Sequence, residues 1–321
     1  MTAPARVDPS LGARVVARTP LFYARGADPA LDRPAHVRAG SALGRLGGRL
    51  AVVQDDASFL AILDGARVVD LPLPSHDGVR QFDDRRGNKK EKLDLEACIA
   101  IEGALVAFGS GSSDRRERIV VVDAPASVTL VEAPELYARM RAARDFSGAE
   151  LNVEGAAIAG DDVVFFQRGN GAAGGSIAPV DATARVSLVA LMDHLRGRGA
   201  CPDLRDVTAW DLGAIEGTRL TFTDGVAARA PWIAFLACAE DCPDATRDGP
   251  VRGVAIGRLD DRARVAARAP VLDERGAPLL DKAEGLAFDD DPRRAWLVVD
   301  KDDPDVPSDL LELRLEEGWL A

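Results

Sequence analysis

Short apolar runs recur along the chain, each stopped by Gly, Asp, Asn or Pro: SFLAILD (58–64), ALVAFGS (104–110), RIVVVDA (118–124), DVVFFQR (162–168), PWIAFLA (231–237), VRGVAIGRL (251–259) and RAWLVVD (294–300). Their length and their β-branched and aromatic content predict strands, and their turn residues predict antiparallel hairpins. Glu102-Gly103, Gly160-Asp161 and Asp290-Asp291-Pro292 supply three such turns. Segments 134–148 and 185–198 carry apolar residues at helical spacing.

Four of the segments that precede a hairpin share a Glu followed by a small residue and an apolar run: LDLEACIAI (93–101), LNVEGAAIA (151–159), AIEGTRLTF (214–222) and KAEGLAFDD (282–290). GSALGRLGGRLAVVQDD (40–56) aligns as a fifth copy with Ser in place of Glu. The marker positions Ser41, Glu96, Glu154, Glu216 and Glu284 thus recur at intervals of about 60 residues, with further strand-like runs filling each interval to four strands. A repeat of four strands cannot bury both of its faces alone, and stacking the copies in a ring solves that problem. The expected fold is therefore all-β: one domain over residues 1–321, a five-bladed β-propeller, with six blades as the alternative. RVVARTPLF (14–22) is expected to pair with SDLLELRL (308–315), so that the N- and C-terminal strands close the ring.

Composition narrows the partners. The chain has 321 residues, 47% of them hydrophobic, which excludes a disordered chain, and 40 basic against 52 acidic residues give a formal charge of −12. Without a basic stripe a nucleic-acid surface is not expected. No stretch approaches a membrane span and the N-terminus lacks the apolar core of a signal peptide, so a soluble, cytoplasmic protein is expected. Cys98, Cys201, Cys238 and Cys242 then read as reduced thiols. Cys238 and Cys242 are the one close pair and lack the further ligands of a zinc site, while His36, His76 and His194 are isolated and fit no histidine triad.

The first strand of each blade lines a propeller's channel, so the five markers form a ring. Four carboxylates facing one another raise one another's pKa unless protons or a cation intervene. Calcium fits an all-oxygen ring in loose geometry better than magnesium does. Ser41, Glu96, Glu154, Glu216 and Glu284 are the expected ligands, with Glu154 as a carboxylate able to act as catalytic base.

The five-blade count and the Ser-plus-Glu set contributed blade by blade resemble the calcium-activated nucleotidases of the apyrase family. That resemblance implies a central calcium held at Ser41, Glu96, Glu154, Glu216 and Glu284, although the family has two Ser ligands and this chain offers one. LDLEA, LNVEG, FFQRGN and KAEG with LVVDKDD resemble, over most of the chain, a bacterial β-propeller family with no assigned activity. The D/N-x-E-G strand starts are more distantly similar to phytase-like and esterase-like propellers, which implies metal-dependent or ester chemistry.

Only five basic residues are Lys, and Lys89, Lys90, Lys92 and Lys282 lie within seven residues before a marker Glu, while Lys301 ends the second strand of the last hairpin. With Ser110, Arg168 and Asn170, which follow second strands, they are expected to bind a small anionic ligand above the ion. The resulting reading is a calcium-dependent hydrolase acting on a phosphate ester or nucleotide at the channel mouth. The alternative is a non-catalytic ligand- or protein-binding propeller with a structural ion. FGSGSSDRR (108–116) and QRGNGAAGGS (167–176) read as loops at the same face, and DKDDPDVPSD (300–309) as an acidic turn.

Overall fold

The computed structural model describes residues 2–123, 127–170, 175–229, 231–241, 249–260, 262 and 265–320. It is all-β with few helices. Two N-terminal strands, β1 (Ala3–Val7) and β2 (Ala13–Pro20), precede four consecutive groups of strands. The first is β3 (Gly40–Leu46), β4 (Arg49–Gln54), β5 (Phe59–Asp64) and β6 (Arg67–Pro72), and the second is β7 (Leu95–Ile101), β8 (Ala104–Gly109), β9 (Arg118–Asp123) and β10 (Ser127–Glu132). The helices α1 (Pro134–Ala142) and α2 (Arg144–Ser147) lead to the third, β11 (Val153–Ala159), β12 (Asp162–Gln167), β13 (Asp181–Ser187) and β14 (Arg205–Asp211), with α3 (Leu188–Leu195) inserted before β14. After the two-residue β15 (Ala214–Ile215) comes the fourth, β16 (Thr218–Ala227), β17 (Trp232–Glu240), β18 (Val251–Asp260) and β19 (Ala266–Leu272). The last strands are β20 (Lys282–Phe288), β21 (Arg294–Asp300) and β22 (Asp309–Leu315).

Each of the four groups is an antiparallel meander. The last three strands make a fifth with β2, which pairs antiparallel with β22 from Ala13↔Leu315 to Pro20↔Asp309. The chain ends therefore meet as the sequence predicts. β1 bridges the third and fourth meanders by parallel pairing with β14 and β19. The first strands touch in cyclic order, β3 with β7, β7 with β11, β11 with β16, β16 with β20 and β20 with β3.

Consecutive strand residues point to opposite faces, and both faces of these meanders meet a neighbour. That is why DVVFFQ is a continuous apolar run rather than an alternating one: Phe165 packs edge-on against Phe108 of the second meander, while Phe166 packs against Phe222 of the fourth, each at 5.1 Å between ring centroids. Five buried clusters follow, each shared by two neighbouring meanders, including one between the fifth and the first. Truncating Phe165 or Phe166 to Ala removes one side of a junction, a change that costs about 3–5 kcal/mol in buried cores.

Every first strand carries a register shift, near its start in four and in the middle of β16, between Gly40 and Ala42, Leu95 and Ala97, Val153 and Gly155, Phe222 and Asp224, and Ala283 and Gly285. The unpaired residues are Ser41, Glu96, Glu154, Thr223 and Glu284. A bulge re-aims one side chain out of the ladder, here the same one in each meander. Gly after Glu154 and Glu284 has a packing cause: a Cβ on Gly155 would lie 2.3 Å from Gly225 N, and one on Gly285 would lie 2.7 Å from Leu43 N.

This corrects one marker. Glu216 sits in the exposed turn between β15 and β16, in the left-handed region at φ 49° beside Gly217 at φ 83°. Its Glu-Gly pair serves a two-residue hairpin, which favours that backbone, and not an inner strand start. The fourth position belongs to Thr223. The two helical segments appear as expected, and among the described residues no helix is long and apolar enough to cross a membrane. Cys98, Cys201 and Cys238 are free thiols, and Cys242 lies outside the described residues.

Candidate functional site

The bulges aim Glu96, Glu154 and Glu284 at one another. Oxygens from the three lie within 4.8 Å of each other at the base of a cavity of about 390 Å³. The other two positions carry hydroxyls that tie neighbouring first strands together. Ser41 Oγ donates to Leu95 O at 2.5 Å, and Thr223 Oγ1 donates to Ala283 O at 2.7 Å, each acceptor lying just before the next ring Glu. The Ser41 proton is thus committed, while its lone pairs still border the cavity.

Burial raises all three carboxyls above the ordinary range, and mutual repulsion adds to it: Asp55, Glu154 and Asp94 act on Glu96, and Glu154 acts on Glu284. Arg168 partly offsets this. Fully enclosed, it places Nη1 3.4 Å from Glu154 Oε1 and 3.7 Å from Glu284 Oε1, with Nη2 2.7 Å from Glu240 Oε2 and Nε 3.3 Å from Thr221 Oγ1. Asn152 Nδ2 donates to Glu154 Oε1 at 2.7 Å. Lys282 Nζ stands 3.9 Å from Glu284 Oε1 and 2.8 Å from Asp302. Glu284 is 4% exposed, and its Oε1 accepts no hydrogen bond.

A second trio, Asp55, Asp94 and Glu96, shares Glu96 with the first. Here a cation from the chain is already in place: Lys92 Nζ lies 2.5 and 2.6 Å from the Asp55 oxygens and 2.7 Å from Asp94 Oδ1. The two aspartates diverge around it. Burial raises both, but Asp94 also receives Arg116 at 2.9 Å and the Ser110 hydroxyl, so these partners and Lys92 hold it below the usual carboxylate range. Asp55 has Lys92 alone and the repulsion of Asp94 and Asp56, and burial pushes it up to about 7.

Of the residues singled out from sequence, Ser41, Lys89, Lys92, Glu96, Glu154, Arg168, Asn170, Lys282 and Glu284 line this cavity. Ser110 stands behind it, supporting Asp94. Lys90 is exposed on a short turn away from the lining. Lys301 pairs with Asp281 at 2.8 Å and Asp309 at 2.9 Å, outside the cavity, because the strand position comparable to Asp55 and Ser110 is Asp300. Nor do the lysines form an anion cradle. Among the described residues twelve carboxylates and six cationic side chains line the cavity, and Lys92, Lys282 and Lys89 each turn onto an acid. The sequence reading missed Asp94, Asn152 and Asp302. Asp94 and Asn152 stand two residues before a ring Glu, as does Lys282, a period-two signal that puts a polar side chain on the same face as the Glu.

No curated protein matches the chain. Among solved structures it is similar to glutaminyl cyclase from Myxococcus xanthus (12% identity, 98% of this chain and 99% of that one, TM-score 0.47). It is also similar to a putative glycosidase from Bacteroides thetaiotaomicron (11%, 97% and 95%, TM-score 0.48) and to virginiamycin B lyase from Staphylococcus aureus (10%, 93% and 98%, TM-score 0.43). A family model matches residues 36–315, which takes in all five ring positions, and the chain therefore belongs to that family, a family of unknown function (DUF6929).

Proposed function

We propose that the chain is a single-domain five-bladed β-propeller, its blades the five meanders, that binds calcium through Glu96, Glu154 and Glu284 and acts as a hydrolase on a small, oxygen-rich ester. The observation that carries the metal reading is Glu284 Oε1: a buried oxygen with no hydrogen bond, on a carboxylate that belongs to a trio from three different strands. A hard cation with loose coordination suits that donor set. Ser41 and water would complete it.

When bound, calcium would supply a Lewis acid that polarises a carbonyl or phosphoryl oxygen. The chain's own contribution is then clear. Arg168 and Asn152 fix Glu154, which makes it a ligand rather than the base expected from sequence. Asp55, with its carboxyl near 7 and held by Lys92, is the group placed to take a proton from a water or hydroxyl in the cavity. Charge on a phosphate ester or nucleotide would be met by the ion, since the lysines are already paired.

The test is a substrate panel of nucleotides, phosphate monoesters, carboxylic esters and lactones, run on chelated protein and again after calcium is restored. Calcium-dependent turnover that falls about 10²–10⁴-fold in Asp55→Asn supports the reading. Stoichiometric calcium with no turnover on any class favours the second reading, a binding propeller pinned by its ion, to which the fixing of Glu154 by Arg168 lends support.

A further inference from the structure

Away from the channel mouth, three side chains with different donor chemistry converge. Glu135 on α1, His194 on α3 and Cys201 in the loop before β14 bring a carboxylate oxygen, an imidazole nitrogen and the thiol sulfur within 4.8 Å of one another. The packing of each element accounts for this. Leu136, Tyr137 and Met140 bury one face of α1, and Leu191, Met192 and Leu195 bury one face of α3, all in one cluster that also takes in Cys201. Glu135 and His194 are left on adjoining flanks over the sulfur.

The donors are also lightly engaged. Cys201 Sγ makes only a 3.8 Å contact to Pro202 O, and among the described residues no side-chain hydrogen bond reaches the His194 ring. Glu135 Oε1 accepts from Arg139 Nη2 at 3.0 Å, which leaves its other oxygen available. We infer that Glu135, His194 and Cys201 form a zinc site, with water as the fourth ligand, that staples α1 to α3.

Sulfur, nitrogen and oxygen donors in a four-coordinate set suit borderline-soft zinc and not calcium, which requires six or more oxygens. Binding replaces the thiol proton, released to solvent, by a zinc–sulfur bond. Arg139 holds one Glu135 oxygen at 3.0 Å and is the side chain that the metal must compete with there. The site joins the connection between the second and third meanders to the excursion between β13 and β14, the two longest helical insertions in the fold. It does not depend on the calcium reading.

Cobalt(II) titration of the chelated full chain, with calcium in excess to occupy any oxygen site, tests this. One equivalent is expected to bind with tetrahedral d–d bands and a thiolate-to-cobalt charge-transfer band, both abolished by zinc. Cys201→Ser should remove the charge-transfer band, and His194→Gln should weaken binding at least about tenfold. His194 is only half-buried, so its variant remains informative if Cys201→Ser fails to fold. Absence of the charge-transfer band from the unmodified chain, or its persistence in Cys201→Ser, overturns the site.

Discussion

The two carboxylate trios share Glu96 but neutralise their charge in opposite ways. Asp55 and Asp94 close on Lys92 Nζ at 2.5 to 2.7 Å, whereas Glu154 and Glu284 are screened by Arg168 and Lys282 from 3.4 to 3.9 Å. In the first trio the chain carries its own cation, and each Asp55 oxygen gives it one lone pair. In the second the countercharges stand back and a buried oxygen goes without a donor. Charge balance alone therefore does not identify an ion site; the distance at which the balance is struck does.

The sharpest way to break that contrast is Lys92→Met. It leaves buried Asp55 without its one cation and Asp94 with Arg116 alone, and the chelated protein should lose about 3–5 kcal/mol in urea unfolding, with calcium restoring part of the loss by entering the vacated trio. A loss under about 1 kcal/mol would show that Lys92 is not the internal cation. Glu284→Gln should act on the other trio in the opposite sense. Calcium at a hundred times its Kd should stabilise the unmodified chain by about 2.7 kcal/mol; the variant should gain almost nothing, yet melt no lower than the unmodified chain in chelator, because a repulsive charge has gone.

A pH series sharpens the contrast further. Glu96, Glu154 and Glu284 have folded values above their ordinary 4.5, so the fold binds their protons more tightly than the unfolded chain does. Their stabilising effect is complete below 4.5 and is lost as pH climbs toward the raised values, and Asp55 adds the same loss between 3.8 and about 7. Asp94, held low, does the reverse, and its contribution disappears only below 3.8. Chelated protein should therefore melt higher near pH 5.5 than near pH 8, and calcium should erase the part of that difference that comes from Glu96, Glu154 and Glu284. The smallest effect is expected for Glu216→Gln, which should stay within about 0.5 kcal/mol and leave calcium binding unchanged.

Much of this architecture is legible in the sequence because each meander repeats its apolar runs, and a marker that recurs in register identifies Ser41, Glu96, Glu154 and Glu284 without coordinates. The fourth copy misleads for a physical reason. Glu216-Gly217 meets the backbone demand of a tight hairpin, while the true ring position is Thr223, whose neighbour Asp224 takes the place held elsewhere by Ala or Gly. Asp224 fits there because its buried carboxylate accepts Leu286 N and Gly225 N, both at 2.7 Å. No local pattern reveals that exchange. The lysines mislead differently: proximity to a ring Glu is readable, but the direction in which Lys92 and Lys282 turn depends on Asp55, Asp94 and Asp302 arriving from other loops. His194 and Cys201 likewise look isolated until the helices they flank are packed together.

Isothermal titration of calcium into chelated protein tests the central claim most directly. One ion per chain is expected, with the heat lost in Glu284→Gln and retained in Glu216→Gln. No heat from the unmodified chain, or undiminished binding in Glu284→Gln, would contradict the assignment of the Glu96, Glu154 and Glu284 carboxylates as a calcium site.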